Sequence, residues 1–222
     1  MKIGMILDAI YPSDARVTNE CEELIKNGHE IYLFCLSYQK NYIKSETINH
    51  IKIRRYYCSS LIYKLSALAN DFPFYSISMK SKIKDFVLKN SIDKVHIHDI
   101  QIAKAAVAVC RKYNLKYVLD LHENRHEIMK SYKHVNSFYG KVLISVKRWK
   151  KAEEKYVSKA EKVIVVTNQA KREIIERCKI SNDNVVVYPN TVRKSFYQNK
   201  DYDQELKKKY SKNYVLLYVC LL

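Results

Sequence analysis

Short apolar, β-branched runs recur along this chain, each followed by a stretch with helical spacing, and this alternation dictates the architecture. Val163-Ile164-Val165-Val166 is the plainest run, apolar at every position rather than at every second one. A strand with one wet face alternates, whereas a strand apolar on both faces belongs to a sheet covered on both sides. The same pattern predicts strands over residues 2–8, 30–36, 51–57, 94–98, 116–121 and 185–188, besides 162–166. Helical spacing marks residues 16–26, 61–69, 77–88, 102–113 and 169–178, the last with Asn168 as its cap, and a long basic helix over 142–159. Polar connections separate them, notably residues 38–50 and 123–137. Strands alternating with helices imply an α/β fold, a doubly wound parallel sheet with helices on both faces. Only three Gly and three Pro argue against a linker-dominated chain.

After a charged stretch at 204–211, Tyr214-Val215-Leu216-Leu217-Tyr218-Val219-Cys220 reads as a fresh buried strand without a helix to cover it. The expectation is one domain over residues 1–200, with 201–222 a linker and the first strand of a second domain that is cut off.

A formal charge of +17 favours anionic partners: a membrane surface, nucleic acid or phosphorylated small molecules. A Lys-rich solvated surface is the plain alternative. No basic arm or nucleic-acid motif accompanies the charge, so nucleic acid is not expected. The six cysteines form no C-x-x-C pair, and several lie in apolar runs where a thiol acts as a small hydrophobe. The opening residues are too short an apolar run for a signal peptide, and nothing approaches the length of a membrane span. A cytoplasmic protein with reduced thiols is expected.

Two predicted strands end on a histidine beside an acid: Val95-His96-Ile97-His98-Asp99 and Val118-Leu119-Asp120-Leu121-His122-Glu123. In open parallel sheets ligands bind outside the carboxyl ends of the strands. Two imidazole–carboxylate pairs at neighbouring strand ends would face one site. His96 and His98 share a strand face, as an H-x-H metal pair would, but no third or fourth ligand has convincing spacing, and no metal is expected. Asp14 and Arg16 open the first helix, whose free N–H groups and guanidinium suit an anion. No G-x-G-x-x-G is present, which disfavours a nicotinamide-dependent enzyme.

Five segments in order carry a resemblance. They are Met1-Lys2-Ile3 to Asp8 with Tyr11-Pro12-Ser13-Asp14-Ala15-Arg16-Val17; Leu24-Ile25-Lys26-Asn27-Gly28-His29-Glu30-Ile31; the two histidine-ended strands; and Ala160-Glu161-Lys162-Val163-Ile164-Val165-Val166-Thr167 with Val185-Val186-Val187-Tyr188-Pro189-Asn190. Together the chain resembles the amino-terminal, acceptor-side domain of GT-B fold glycosyltransferases, the retaining group called family 4, with a Rossmann-like sheet. Leu217-Tyr218-Val219 is similar to the first strand of the family's second domain, with Cys220-Leu221-Leu222 where glycines are usual.

The resemblance implies transfer of a sugar from a nucleotide-sugar donor to a saccharide or lipid-linked acceptor in cell-surface glycan synthesis. It implies no cofactor beyond that co-substrate, and a place in the cytoplasm or on the inner face of the plasma membrane. The isolated chain is expected to be inactive. His122 is the catalytic candidate, orienting hydroxyls and stabilising charge near the anomeric centre rather than serving as a general base. Asp14, Arg16, His98, Asp99, Glu123 and Asn190 are the candidate donor- and acceptor-binding residues. Glu123 could fix the His122 tautomer or hold an acceptor hydroxyl. His98 and Asp99 could line the cleft or brace their loop. A non-catalytic saccharide- or membrane-binding module of the same fold is the alternative. Two stretches are candidates for a membrane face. One is the basic helix, with Val142, Leu143, Val146 and Trp149 in one stripe; the other is residues 61–84.

Overall fold

A computed structural model describes residues 1–191 and 203–216 of the 222. The chain divides into two compact units, Met1–Asn190 and Thr191–Leu222. The strands of the first unit are β1 (Lys2–Leu7), β2 (Glu30–Ser37), β3 (Ser45–Ile48), β4 (Ile51–Tyr57), β5 (Lys94–His98), β6 (Tyr117–Leu121), β7 (Lys162–Val165) and β8 (Val185–Val187). They form one sheet in the order β3-β4-β2-β1-β5-β6-β7-β8. Every pairing is parallel except β3 with β4.

The helices are α1 (Ala15–Lys26), α2 (Ser60–Lys64), α3 (Phe74–Asn90), α4 (Ile100–Lys112), α5 (Arg125–Ile128), α6 (Lys133–Asn136), α7 (Phe138–Leu143), α8 (Val146–Val157) and α9 (Asn168–Cys178). In the second unit Gln204–Lys209 is a short exposed helix capped by Asp203.

Strand alternation sorts the core onto two faces. Ile3, Met5 and Leu7 of β1 join Val17 and Cys21 of α1 on one. Ile6 and Ile97 join Met79, Ile83 and Phe86 of α3 and Ala103 and Val109 of α4 on the other. At Gly4 a Cβ would stand 3.0 Å from Phe86 and Ile92, so any larger residue would press those core side chains aside. The chain leaves β1 for β2 on one side, while β5 lies on the other. The crevice outside the carboxyl ends of β1 and β5 is therefore the switch point at which such sheets bind ligands.

The predicted strands and the doubly wound class agree with this structure. Four details differ. The polar 38–50 segment contains β3, an antiparallel edge strand joined to β4 through Asn49 and His50, both at positive φ, as tight hairpin turns demand. The 142–159 helix is two helices: Ile144 is extended, and the Ser145 hydroxyl caps α8 by accepting from the Arg148 N–H at 3.2 Å. Thr167, not Asn168, caps α9, its hydroxyl accepting from the Ala170 N–H. The polar 123–137 segment folds into α5, a 3-10 turn and α6.

The stripe predicted along 142–159 is likewise divided, with Trp149 buried and Val142 and Leu143 exposed. Of the predicted strand over 214–220, Tyr214 to Leu216 is irregular and exposed, and Leu217 to Cys220 lies outside the described residues.

Candidate active site

The site grows from the first turn of α1. Asp14 caps the helix, its carboxylate accepting from the Val17 N–H at 3.1 Å. Arg16 and Glu20, one turn apart, then share the helix face turned to the sheet. Arg16 is buried and fully engaged. Its Nε and Nη2 donate to the two oxygens of Asp120 at 2.8 and 2.7 Å, and its Nη1 donates to the Tyr188 carbonyl at 2.6 Å and to Asn190 Oδ1 at 3.1 Å. The Tyr188 ring lies 4.9 Å from the guanidinium carbon. This corrects the expectation that Arg16 offers a free fork to a phosphate. It is a keystone tying α1 to β6 and to the end of β8, and Asn190 is one of its anchors.

Below it, β5 and β6 place His96, His98 and Asp120 on the same sheet face, with His98 and Asp120 directly paired across the strands. Asp120 Oδ2 lies 3.4 Å from His98 Nδ1 and 3.0 Å from His122 Nε2. His98 Nδ1 and His122 Nε2 are 3.3 Å apart. Burial opposes the Asp120 charge, but hydrogen bonds from His122, His98 and Arg16 hold its carboxyl far below the usual carboxylate range. Burial likewise opposes protonation of His122, yet the Asp120 hydrogen bond and charge prevail and raise its pKa. His96 is pushed down to about 3 by burial and by the charge of His98; burial also lowers His98. Of these four residues His122 is the most exposed, with 22% of its side chain reaching solvent. The arrangement is a buried carboxylate that orients one imidazole and favours its protonated form.

Glu20, His96, His98 and Asp120 bring donor atoms within 4.8 Å of one another, supplying the third and fourth groups that sequence spacing lacked. Their directions do not converge on one ion as placed. The His96 and His98 rings stack at 4.4 Å and 19°, so their lone pairs lie in nearly parallel planes. Asp120 Oδ2 already accepts from Arg16 and His122.

Glu20 Oε1 sits 3.3 Å from Arg16 Nε and Oε2 sits 3.6 Å from His96 Nε2. Burial, reinforced by the Asp120 charge, pushes the Glu20 carboxyl up to about 9, so the folded protein holds a proton there that the unfolded chain releases from its ordinary 4.5. Between those values stability falls as pH rises. Glu20→Gln, shaped like the protonated acid, is expected to match the wild type near pH 4.5 and to outlast it increasingly toward pH 9. The gain is about 1.4 kcal/mol per pH unit for a whole proton. Urea unfolding across pH, followed by the fluorescence of the single Trp149, reads this; parallel curves would refute it.

The rim is built at the same strand ends. Asp99 follows β5 at φ +71°, accepts from the Ile100 N–H at 2.7 Å and pairs with Arg125. A non-glycine residue held at positive φ is strained, and such strain gathers at binding sites. Arg125 also meets Glu123 at 2.9 Å, joining the acids that follow β5 and β6. Asp8, after β1, accepts from Tyr75 and from Gln101 at 3.0 Å, and burial pushes its carboxyl up to about 7.

The structure thus brings His98, Asp99, His122 and Glu123 to one edge, with Asp14 at the head of α1. Arg125, Asp8 and Glu20 were missed in the sequence reading. Asp120 was quoted in a motif but given no role, although a carboxylate inside an apolar strand announces a buried partner.

This fold and this edge match known proteins. The model of the family described as "Glycosyltransferase Family 4" matches residues 15–196, and the chain belongs to that family. The fold is that of the amino-terminal domain of GT-B glycosyltransferases. Among the solved structures it resembles is sucrose-phosphate synthase of Thermosynechococcus elongatus, with TM-score 0.64 and 14% identity over 87% of this chain and 49% of that one. A trehalose-6-phosphate protein of E. coli bound with UDP-2-fluoro glucose gives TM-score 0.64 and 12% identity over 96% and 54%. A glycosyltransferase from Rickettsia africae gives TM-score 0.52 and 18% identity over 95% and 48%. The chain spans about half the length of these structures. No curated protein matches it.

Proposed function

We propose that the chain supplies the acceptor-side half of a retaining glycosyltransferase that moves a sugar from a nucleotide-sugar donor to a saccharide or lipid-linked acceptor. The observation that carries this is His122, a partly exposed imidazole at a strand end, backed by a buried, charged Asp120. Such a group donates to a sugar hydroxyl or steadies developing charge; the bias toward its protonated form makes it a poor base. Arg125, Asp99 and Glu123 offer charged and hydrogen-bonding groups of both signs beside it, as a polyhydroxylated ligand needs. Two similar structures hold UDP-2-fluoro glucose and UDP-glucose, and another concerns glycosyl transfer with retention. No metal or cofactor enters the proposal. Among the described residues no helix is long and apolar enough to cross a membrane, and attachment to the inner face of a membrane would be peripheral.

Because the chain matches about half of those structures, donor binding is assigned to a second domain. The test is a transfer assay with radiolabelled nucleotide sugars, run on the 222-residue chain and on a protein joining it to a second, donor-binding domain. Turnover is expected only from the longer protein. Transfer by the 222-residue chain would overturn the division of labour. Saccharide binding without turnover by the longer protein would favour the non-catalytic module.

A further inference from the structure

Two exposed apolar segments, far apart in sequence, are fastened side by side by one buried carboxylate. Asp71 Oδ1 accepts from the Ser145 N–H at 3.2 Å and from Arg148 Nη1 at 2.7 Å, while Oδ2 accepts from the Trp149 indole at 3.2 Å. Directly after Asp71, Phe72 and Phe74 stack at 6.4 Å, and Phe74 is 58% exposed. Directly before Ser145, helix α7 exposes Phe138, Tyr139 and Val142 at 78, 76 and 73%. Large apolar side chains clustered at such exposure mark a surface that meets something.

The charge around them says what. Residues 71–84 and 138–152 together hold eight Lys and Arg and one acid, Asp71, which is paired with Arg148. A second copy of the chain would set cation against cation, on top of a net charge of +17. An acidic protein would need a shaped groove, whereas α7 is a six-residue projection with adjacent side chains, Phe138 and Tyr139, both exposed. A fluid bilayer needs no complementary shape: its interfacial layer takes aromatic rings, and its anionic headgroups take lysines.

We propose that this face docks on an anionic lipid bilayer, with α7 and the Phe72–Phe74 corner entering the interface and Lys141, Lys147 and Lys151 lying at headgroup phosphates. The docking deepens the peripheral-membrane reading above and rests on it, but it is independent of sugar transfer.

The experiment is co-sedimentation of the 222-residue chain with vesicles of phosphatidylcholine alone and with added phosphatidylglycerol, without sugar donor, at low and high salt. Binding is expected to require phosphatidylglycerol. Phe138→Ser with Val142→Ser should lower partitioning by about tenfold or more at both salts. Lys147→Gln and Lys151→Gln should each lower it by about fivefold at low salt only. These side chains are exposed, and unchanged Trp149 fluorescence checks the fold. Equal binding to neutral vesicles, or serine variants that bind like wild type, would overturn the proposal. So would a dimer in solution that the serine variants abolish, or an acidic protein that competes for the face. Vesicle binding by the 222-residue chain, with no transfer by the longer protein that carries a donor-binding domain, would leave the docking standing and sink the enzyme reading instead.

Discussion

Asp120→Ala is expected to lower the free energy of unfolding by about 3–5 kcal/mol, the usual cost of removing one partner of a buried ion pair. The Asp120 side chain is fully buried and that of Arg16 is 6% exposed, so water cannot replace the lost carboxylate. Arg16 would keep the uncharged Tyr188 carbonyl and Asn190, and beside it Glu20, whose carboxyl is pushed by burial toward its neutral form. His98 and His122 would lose their shared acceptor in the same step. Urea unfolding monitored at Trp149 measures the loss. A double-mutant cycle with Arg16→Ala should show strong coupling, because either single change leaves an unpaired group that the double change does not. Near-additive effects, or a loss below about 1 kcal/mol, would show the pair to be a bystander. The sign of the pH effect follows from the depressed carboxyl. Its stabilisation is complete above the ordinary 3.8 and disappears as pH falls below it toward the folded-state value. Glu20 and His122 act in the opposite sense, holding protons that the unfolded chain gives up, so the alkaline side of the stability profile belongs to them.

The main strands were legible because their runs are apolar throughout, even where only one face is fully covered: Val163 and Val165 are buried in the core with Ile174 of α9, while Ile164 on the other face is half-buried and Val186 exposed. β3 was not, since Ser45, Glu46 and Thr47 form a polar edge whose pairing depends on the Asn49-His50 turn. The break between α7 and α8 was hidden for a related reason. The periodicity of Val142, Leu143, Val146 and Trp149 runs through it, and only the Ser145 cap and its tie to Asp71, 74 residues away, interrupt the helix.

The site divides in the same manner. Strand-end histidines beside acids are visible in sequence, because position at the end of an apolar run fixes which edge they occupy. Which of them face solvent is not visible, since that depends on α1 lying over β5. Hence His98, which reads like His122, is buried, with burial opposing its protonation, while His122 opens outward. Arg16 reads as an anion ligand until its hydrogen-bond acceptors Asp120, Tyr188 and Asn190 are seen, each more than a hundred residues away.

On the proposed glycosyltransferase reading, in the protein joining this chain to a donor-binding domain, His122→Ala is expected to cut kcat by about 100- to 10,000-fold, the range for losing a positioned proton donor or charge stabiliser. The donor KM should change little if donor binding lies in the second domain. His122→Gln keeps a donor without a titrating proton and should restore part of the rate. The Asp120 carboxylate holds the His122 pKa above the ordinary histidine value, so the protonated imidazole persists to higher pH than in an ordinary histidine and is lost as pH rises. The wild-type rate should therefore fall on the alkaline side, and the His122→Gln profile should lack that limb. Asp120→Asn removes the charge that sustains the imidazolium, and should move the limb to lower pH even where the protein remains folded. A merely structural histidine would change the rate without moving the profile. Full activity in His122→Ala, or an alkaline limb unchanged in His122→Gln, would remove His122 from the reaction.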